Sequence, residues 1–144
     1  MKEAIGNWLT WALLSAFFAA ATALLAKLGV SGIPSNLATA IRTTVVIVFA
    51  WLMVAVTREF SGVEALTPRN WLFLFLSGTA TGLSWLCYFH ALKLGEVSKV
   101  APIDKLSVPL VILFSALLLG ERLSAGKVVG GLLIAAGAIV VALG

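Results

Sequence analysis

Apolar residues in this chain fall in long runs, without the alternation of a half-buried strand or the polar face of a surface helix. Five of these runs reach the roughly 20 residues needed to cross the hydrocarbon core of a bilayer. They cover about Trp8 to Leu28, Ser35 to Val56, Trp71 to Leu94, Ala101 to Leu119 and Lys127 to Leu143. The first carries no charge before Lys27, and the second is interrupted once, by Arg42. Backbone in lipid must satisfy its own hydrogen bonds, and the runs lack the two-residue period of a barrel strand, so transmembrane helices are predicted. The connections are too short to hold a water-exposed domain, and residues 1–144 read as a single five-helix transmembrane domain.

The polar punctuation predicts the helix ends. Gly29, Gly32 and Pro34 separate the first two helices, with Ser35 or Asn36 as N-cap. Thr57 to Asn70 is the longest connection, and Thr67-Pro68 predicts a cap followed by proline at the first helical position. Gly95 closes the third helix, and Pro102 is expected to open the fourth as Pro68 opens the third. Gly120 and Gly126 bracket the last connection. Lys2 ahead of a run containing Ala19-Ala20-Ala21 superficially suggests a signal peptide, but the uncharged stretch is longer than the usual ~7–15 residues, and a retained first helix is expected.

Composition agrees with this picture and narrows it. The chain is 61% hydrophobic and 11% charged, with a mean hydropathy of +1.10. A soluble domain is roughly 45–50% apolar and about 25% charged. A 15.1 kDa globule has too little interior to hide this much apolar surface. A free soluble monomer, a disordered chain and a disulfide scaffold are excluded. The lone Cys87 carries no information about redox compartment. The net charge of +4 comes from scattered Lys and Arg, which suits short loops of a membrane protein and not a nucleic-acid surface. One His, one Cys and no close group of carboxylates predict neither a metal centre nor a nucleophile–base pair, and no cofactor is expected. No phosphate-cradling glycine loop follows a strand, which argues against ATP-driven transport, and no enzyme is expected.

Particular motifs say more. Ala101-Pro102, Lys105-Leu106-Ser107-Val108-Pro109, Leu118-Leu119-Gly120-Glu121-Arg122-Leu123 and Gly130-Gly131-Leu132-Leu133-Ile134-Ala135-Ala136-Gly137 together resemble the end of an EamA domain. Trp85 to Gly95 and Ser35 to Arg42 are similar to the end of its third helix and the start of its second, so the resemblance covers essentially the whole chain. That domain is the five-helix half of the drug/metabolite transporter superfamily, most members of which have ten helices in two inverted repeats. The resemblance implies secondary transport of small metabolites or drugs in a prokaryotic plasma membrane. With one repeat here and the substrate site of such folds at the repeat interface, it also implies that a second chain completes the fold.

Basic residues at the helix ends bear on how that partner sits. Lys2, Arg58, Arg69, Arg122 and Lys127 lie on the N-terminal side, and Lys27, Lys93, Lys99 and Lys105 on the other. Orientation follows the Lys/Arg bias of short loops, and here there is almost none. The expectation is dual topology, with oppositely oriented copies forming an antiparallel homodimer. The alternative is a weakly specified N-terminus-inside chain with a different partner.

Polar residues within the spans are the candidate site, since an ionisable group at mid-helix costs about 2.5–3.5 kcal/mol on insertion scales. Arg42 stands roughly 10 Å along its helix from Ser35, close enough to the membrane surface to snorkel. Tyr88, His90, Asp104 and Lys105 are expected at similar depth. An Arg42–Asp104 pair would leave Lys105 as the unbalanced cation; alternatively Asp104 simply favours a helix N-terminus in the interface. Pro109 frees the carbonyl of Lys105 and predicts a kink suited to gating, although inert membrane helices kink at proline too. Ser77, Thr81, Ser84 and Tyr88 share one helix face, with Trp85 beside it. They would line a substrate path, unless the hydroxyls bond back to their own helix. Gly78 and Gly82 suggest close helix packing. Gly126, Gly130 and Gly137 suggest a dimer interface, or else packing within the chain.

No acid lies between Trp8 and Leu28, unlike in the small multidrug resistance antiporters, which leaves Asp104 or His90 for any proton coupling. The expected protein is thus a dimeric secondary transporter working by alternating access. Arg42, His90, Asp104 and Lys105 would meet substrate or coupling ion, Thr81, Trp85 and Tyr88 would line the path, and Pro109 would gate. Its partners would be the lipid bilayer, a second copy and a small-molecule substrate, without nucleic acid. The rival is a non-transporting subunit that assembles with a larger transporter or lipid-carrier flippase.

Overall fold

A computed structural model describes the backbone of residues 2–144 and the side chains of residues 8–144; the side chain of Lys2 lies outside the described residues. The helices are α1 (Lys2–Gly29), α2 (Ser35–Thr57), α3 (Pro68–Leu94), α4 (Val97–Asp104), α5 (Ser107–Leu119) and α6 (Ala125–Leu143), with a 3-10 segment over Glu59–Ala65. Among the described residues, five stretches are long and apolar enough to span a membrane: Trp8–Gly29, Ser35–Thr57, Pro68–Leu94, Val97–Leu119 and Ala125–Leu143. The fourth joins α4 and α5 and is therefore a broken helix. The chain divides into two compact units, Gly29–Lys93 and a second made of the residues up to Leu28 with Leu94–Gly144.

Within the first unit, α2 and α3 run antiparallel: Ser35 at the start of α2 meets His90 near the end of α3. Gly32 takes a positive φ of 78° in the turn that leads to Pro34, a backbone conformation that costs glycine nothing. The Ser35 hydroxyl does not cap α2: Pro34 occupies the cap position and no side chain bonds there, because the hydroxyl turns instead towards His90. Arg58 ends α2 in the left-handed conformation (φ 57°), its N–H donating to the carbonyl of Ala55. The 3-10 segment then folds back so that Phe60 stacks on Trp51, with ring centroids 6.0 Å apart. Thr67-Pro68 behaves as predicted. The Thr67 N–H donates to Asn70 Oδ1 at 3.0 Å and the Asn70 N–H to Thr67 Oγ1 at 3.3 Å, a reciprocal cap with asparagine in place of the usual glutamate.

In the second unit, Lys27 in the last turn of α1 donates from Nζ to the Gly95 carbonyl at 2.7 Å. Pro102 does not open the fourth span. α4 already begins at Val97, and Pro102 lies inside it. The α-helical hydrogen-bond pattern is interrupted at Lys105 and Leu106, which keep right-handed dihedrals but whose N–H groups reach back three residues, to Pro102 and Ile103, in place of four. Pro109 sits in the first turn of α5, where a missing N–H costs little. The carbonyl of Lys105 is not freed as expected: it accepts from the Val108 N–H at 2.9 Å. The break thus falls before Pro109, between two prolines that both lack an N–H to donate.

Gly120 ends α5 with a positive φ of 68°, and the N–H groups of Gly120 and Glu121 both turn back to the Ser115 carbonyl. The leucine-glycine-glutamate-arginine run is therefore a helix terminator. Glu121 then pairs with Lys127 at 3.2 Å, and Ser124 Oγ accepts the Lys127 N–H to cap α6. α4 and α5 both pack on α6. Burial is sparse throughout. Leu92 and Val30 are fully enclosed, whereas Leu118 is 80% exposed and most large apolar side chains on the helices face outward. In water that surface is untenable; in a bilayer it is the face presented to lipid or to neighbouring helices.

Candidate functional site

The polar centre of the Gly29–Lys93 unit is built on α2 and α3. Spacing along α2 places Ser35, Thr39 and Arg42 on one face. Ser35 and Thr39 are buried and Arg42 is half-buried. The hydroxyls of Thr39 and Thr43 donate to the carbonyls of Ser35 and Thr39 at 2.9 and 2.7 Å, so each is satisfied within its own helix. Arg42 is not. Its guanidinium carbon lies 4.2 Å from the ring centroid of Trp85 and 5.6 Å from that of Phe89. Trp85 and Phe89 are one helical turn apart, so α3 offers two aromatic faces in succession. Such cation–π contacts contribute about 0.5–2 kcal/mol each, more when water is excluded.

Aromatic faces do not accept the hydrogen bonds that a guanidinium donates in its plane. Arg42 Nη1 is buried and has no hydrogen-bond partner, alone in this respect among the buried side-chain nitrogens and oxygens of the described residues. An unmade hydrogen bond of this kind costs about 1–3 kcal/mol, and more for a charged group. Toward the helix ends, the Ser35 hydroxyl lies 3.4 Å from His90 Nδ1, donating to it when the ring carries its proton on Nε2. Tyr88 sets its ring edge-on to Phe89, centroids 6.5 Å apart.

The second unit holds the other candidate residues. Asp104 and Lys105 flank the α4–α5 break and pair with each other, Lys105 Nζ to Asp104 Oδ2 at 3.1 Å, so Lys105 is not an unbalanced cation. Both side chains are substantially exposed. Pro109, next in the chain, packs on α6: a Cβ on Gly131 would lie 3.6 Å from Pro109 Cβ and 3.2 Å from Ile112 Cδ1. Beside that contact, Pro109, Ile112, Leu123, Lys127 and Gly131 line an apolar groove of about 270 Å³.

Of the residues expected from sequence, the structure brings Arg42 onto Trp85 and sets Tyr88 and His90 on the same stretch of α3. Thr81 is exposed and its hydroxyl donates to its own helix, to the Ser77 carbonyl at 2.9 Å. Cβ atoms on Gly78, Gly82, Gly130 or Gly137 would meet nothing within 4 Å, and one on Gly126 would meet only Ser124 of the preceding turn. The expected close packing at Gly78 and Gly82 is thus absent from the chain; the glycine that packs is Gly131. Phe89, Thr39 and the His90 contact of Ser35 were also missed. Phe89 was legible as the i+4 neighbour of Trp85, but nothing in the sequence distinguished Gly131 from Gly130.

Among the described residues, five helices long and apolar enough to cross a membrane, one of them carrying a half-buried arginine, define a polytopic membrane protein. The chain belongs to the EamA-like transporter family, whose pattern matches residues 6–143. It is 51% identical over 136 residues to an uncharacterized transporter in the cobO 3'region of a Sinorhizobium species, covering 94% of this chain and 96% of that one. It is 33% identical over 132 residues to the uncharacterized transporter YvbV of Bacillus subtilis (strain 168), covering 91% of this chain and 40% of that longer one. No solved structure shows significant similarity to it.

Proposed function

We propose that the protein is a secondary transporter of small metabolites or drugs, acting as a homodimer by alternating access in a prokaryotic plasma membrane. Residues 1–144 form one EamA-like domain, equivalent to half of a ten-helix inverted-repeat transporter. The observation that carries this reading is Arg42, set within a span of an EamA-like chain, stacked on Trp85, with one buried nitrogen unpartnered. A purely structural buried cation would have its donors satisfied; an unsatisfied one suits a group whose partner arrives with a solute.

The dimer supplies the second half. The Sinorhizobium relative is spanned almost end to end by one such unit, while YvbV is long enough to hold a second. Gly130 and Gly137 have open space before them and, with Gly126, offer a small-residue face on α6 to the partner. Near-balanced loop charges suit antiparallel assembly. Arg42, Trp85, Tyr88 and His90 on α2 and α3, with Asp104 and Lys105 at the helix break, would meet substrate or coupling ion, and Thr81 would line the path. Pro109 would let the fourth span flex, since a discontinuous helix is where such transporters change shape. The bacterial sources of both relatives support the assignment to a prokaryotic plasma membrane.

The test is reconstitution. Purified protein in liposomes, given a mixed pool of amino acids, amines and organic acids and an imposed proton or sodium gradient, should accumulate at least one solute above protein-free vesicles. Failure with every solute and either gradient would favour a subunit that acts only beside a larger partner.

A further inference from the structure

Arg42 has five N–H donors fixed in one plane and no acceptor. Its guanidinium carbon lies 4.2 Å from the Trp85 ring centroid and 5.6 Å from that of Phe89, and neither ring accepts the hydrogen bonds those donors make in their plane. One of the donor nitrogens, Nη1, is buried without a partner. Thr39 and Thr43, on the same helix, direct their hydroxyl hydrogens to backbone carbonyls and do not serve it.

We infer that the guanidinium of Arg42, with its unpartnered Nη1, is the docking point for the carboxylate of the transported solute, reached when the helices around it part, with Trp85 as the positioning residue that holds the fork in place. This rests on the transporter reading and narrows it to carboxylate-bearing substrates. Two coplanar oxygens sharing one charge match the guanidinium edge in two parallel hydrogen bonds. A halide offers a single point of contact, a neutral amide a single oxygen, and a cation is repelled. Low local dielectric strengthens the charge-assisted pair, and a guanidinium already stacked on an indole loses little freedom on binding. A lipid phosphate has similar oxygens. The two sources share the same chemistry, and the experiment below separates them.

The experiment uses the full chain in maltoside detergent, which carries no phosphate. Changing Trp8, Trp11, Trp51 and Trp71 to Phe leaves Trp85 as the only indole of the five, a reporter in contact with Arg42. Succinate should alter Trp85 emission saturably and, in the unmodified protein, raise the melting temperature; sodium chloride at equal ionic strength and ethylenediamine should do neither. Arg42→Lys keeps the charge but not the fork and should weaken succinate binding about tenfold or more. Trp85→Phe should weaken it less, with the loss read by melting temperature. Equal succinate binding by folded Arg42→Lys would overturn the inference. So would a matching response to chloride or ethylenediamine, or saturation by short-chain phosphatidylglycerol without any response to succinate. Liposome uptake separates this from the transporter reading. Transport of amines or neutral solutes unaffected by Arg42→Lys sinks the carboxylate site alone. Succinate binding that needs Arg42, with no transport of any solute, sinks the transporter reading alone.

Discussion

Pro109 packs directly against Gly131: a Cβ built on that glycine would sit 3.6 Å from the proline Cβ and 3.7 Å from its Cα. A residue in the first turn of α5, the second half of the fourth span, is therefore also one that seats it on α6. A side chain at position 131 would have to be accommodated by moving Pro109, Ile112 or the helix itself. Gly131→Ala needs only the flexible tip of Ile112 to shift and should be nearly neutral. Gly131→Leu overpacks the seam and should cost about 1–3 kcal/mol, read as a lower melting temperature in detergent. Gly130→Ala, with open space around it, serves as control. A Gly131→Leu protein that melts with the wild type would contradict this packing.

The Arg42–Trp85 stack should appear as an energetic coupling. Trp85→Leu, Arg42→Gln and the double variant form a cycle whose interaction term is expected to be about 0.5–2 kcal/mol. Additivity within about 0.5 kcal/mol would mean that the guanidinium and the indole are neighbours without mutual stabilisation.

Asp104 and Lys105 pair in an exposed setting, where an ion pair contributes about 0–1 kcal/mol. Asp104→Asn should therefore leave the melting temperature within a few degrees of wild type. If Asp104 carries the coupling proton, the same change abolishes gradient-driven uptake while solute exchange continues. Loss of stability without loss of coupling would make the aspartate structural.

Topology follows from the near-equal Lys/Arg count on the two sides. Single cysteines placed between Thr57 and Asn70 in a Cys87→Ala background should label with an impermeant maleimide from both faces of oriented vesicles. Labelling from one face only would exclude dual topology and with it the antiparallel dimer.

Gly130→Leu and Gly137→Leu should each weaken self-association, because a bulky side chain separates two helix backbones in lipid. The monomer fraction in detergent, measured against dilution, should rise with fold and melting behaviour retained. An unchanged dimer would move the interface to another helix.

The sequence by itself determined the class of this protein and the rough extent of its spans. Runs of apolar residues as long as a bilayer is thick leave a chain no other stable solution, and neither does the demand that every backbone group in lipid find a partner. Local chemistry was legible wherever it acts within a few residues, as with the Thr67–Asn70 cap, Pro68 at the first helical position and Gly120 at the end of α5. It was less so where two local rules compete. Pro102 fits the start of a helix as well as its interior, and the added turn from Val97 decided the matter. Only the tertiary structure decided which groups meet. Arg42 and Trp85 are 43 positions apart on antiparallel helices, and Gly131 is told from Gly130 only by the side of α6 that faces Pro109. Helices hydrophobic on every side carry almost no pattern to say which face turns inward. In such a chain the packing partners are fixed by fit between surfaces of similar polarity, information that resides in the assembled bundle and not in the spacing of its residues.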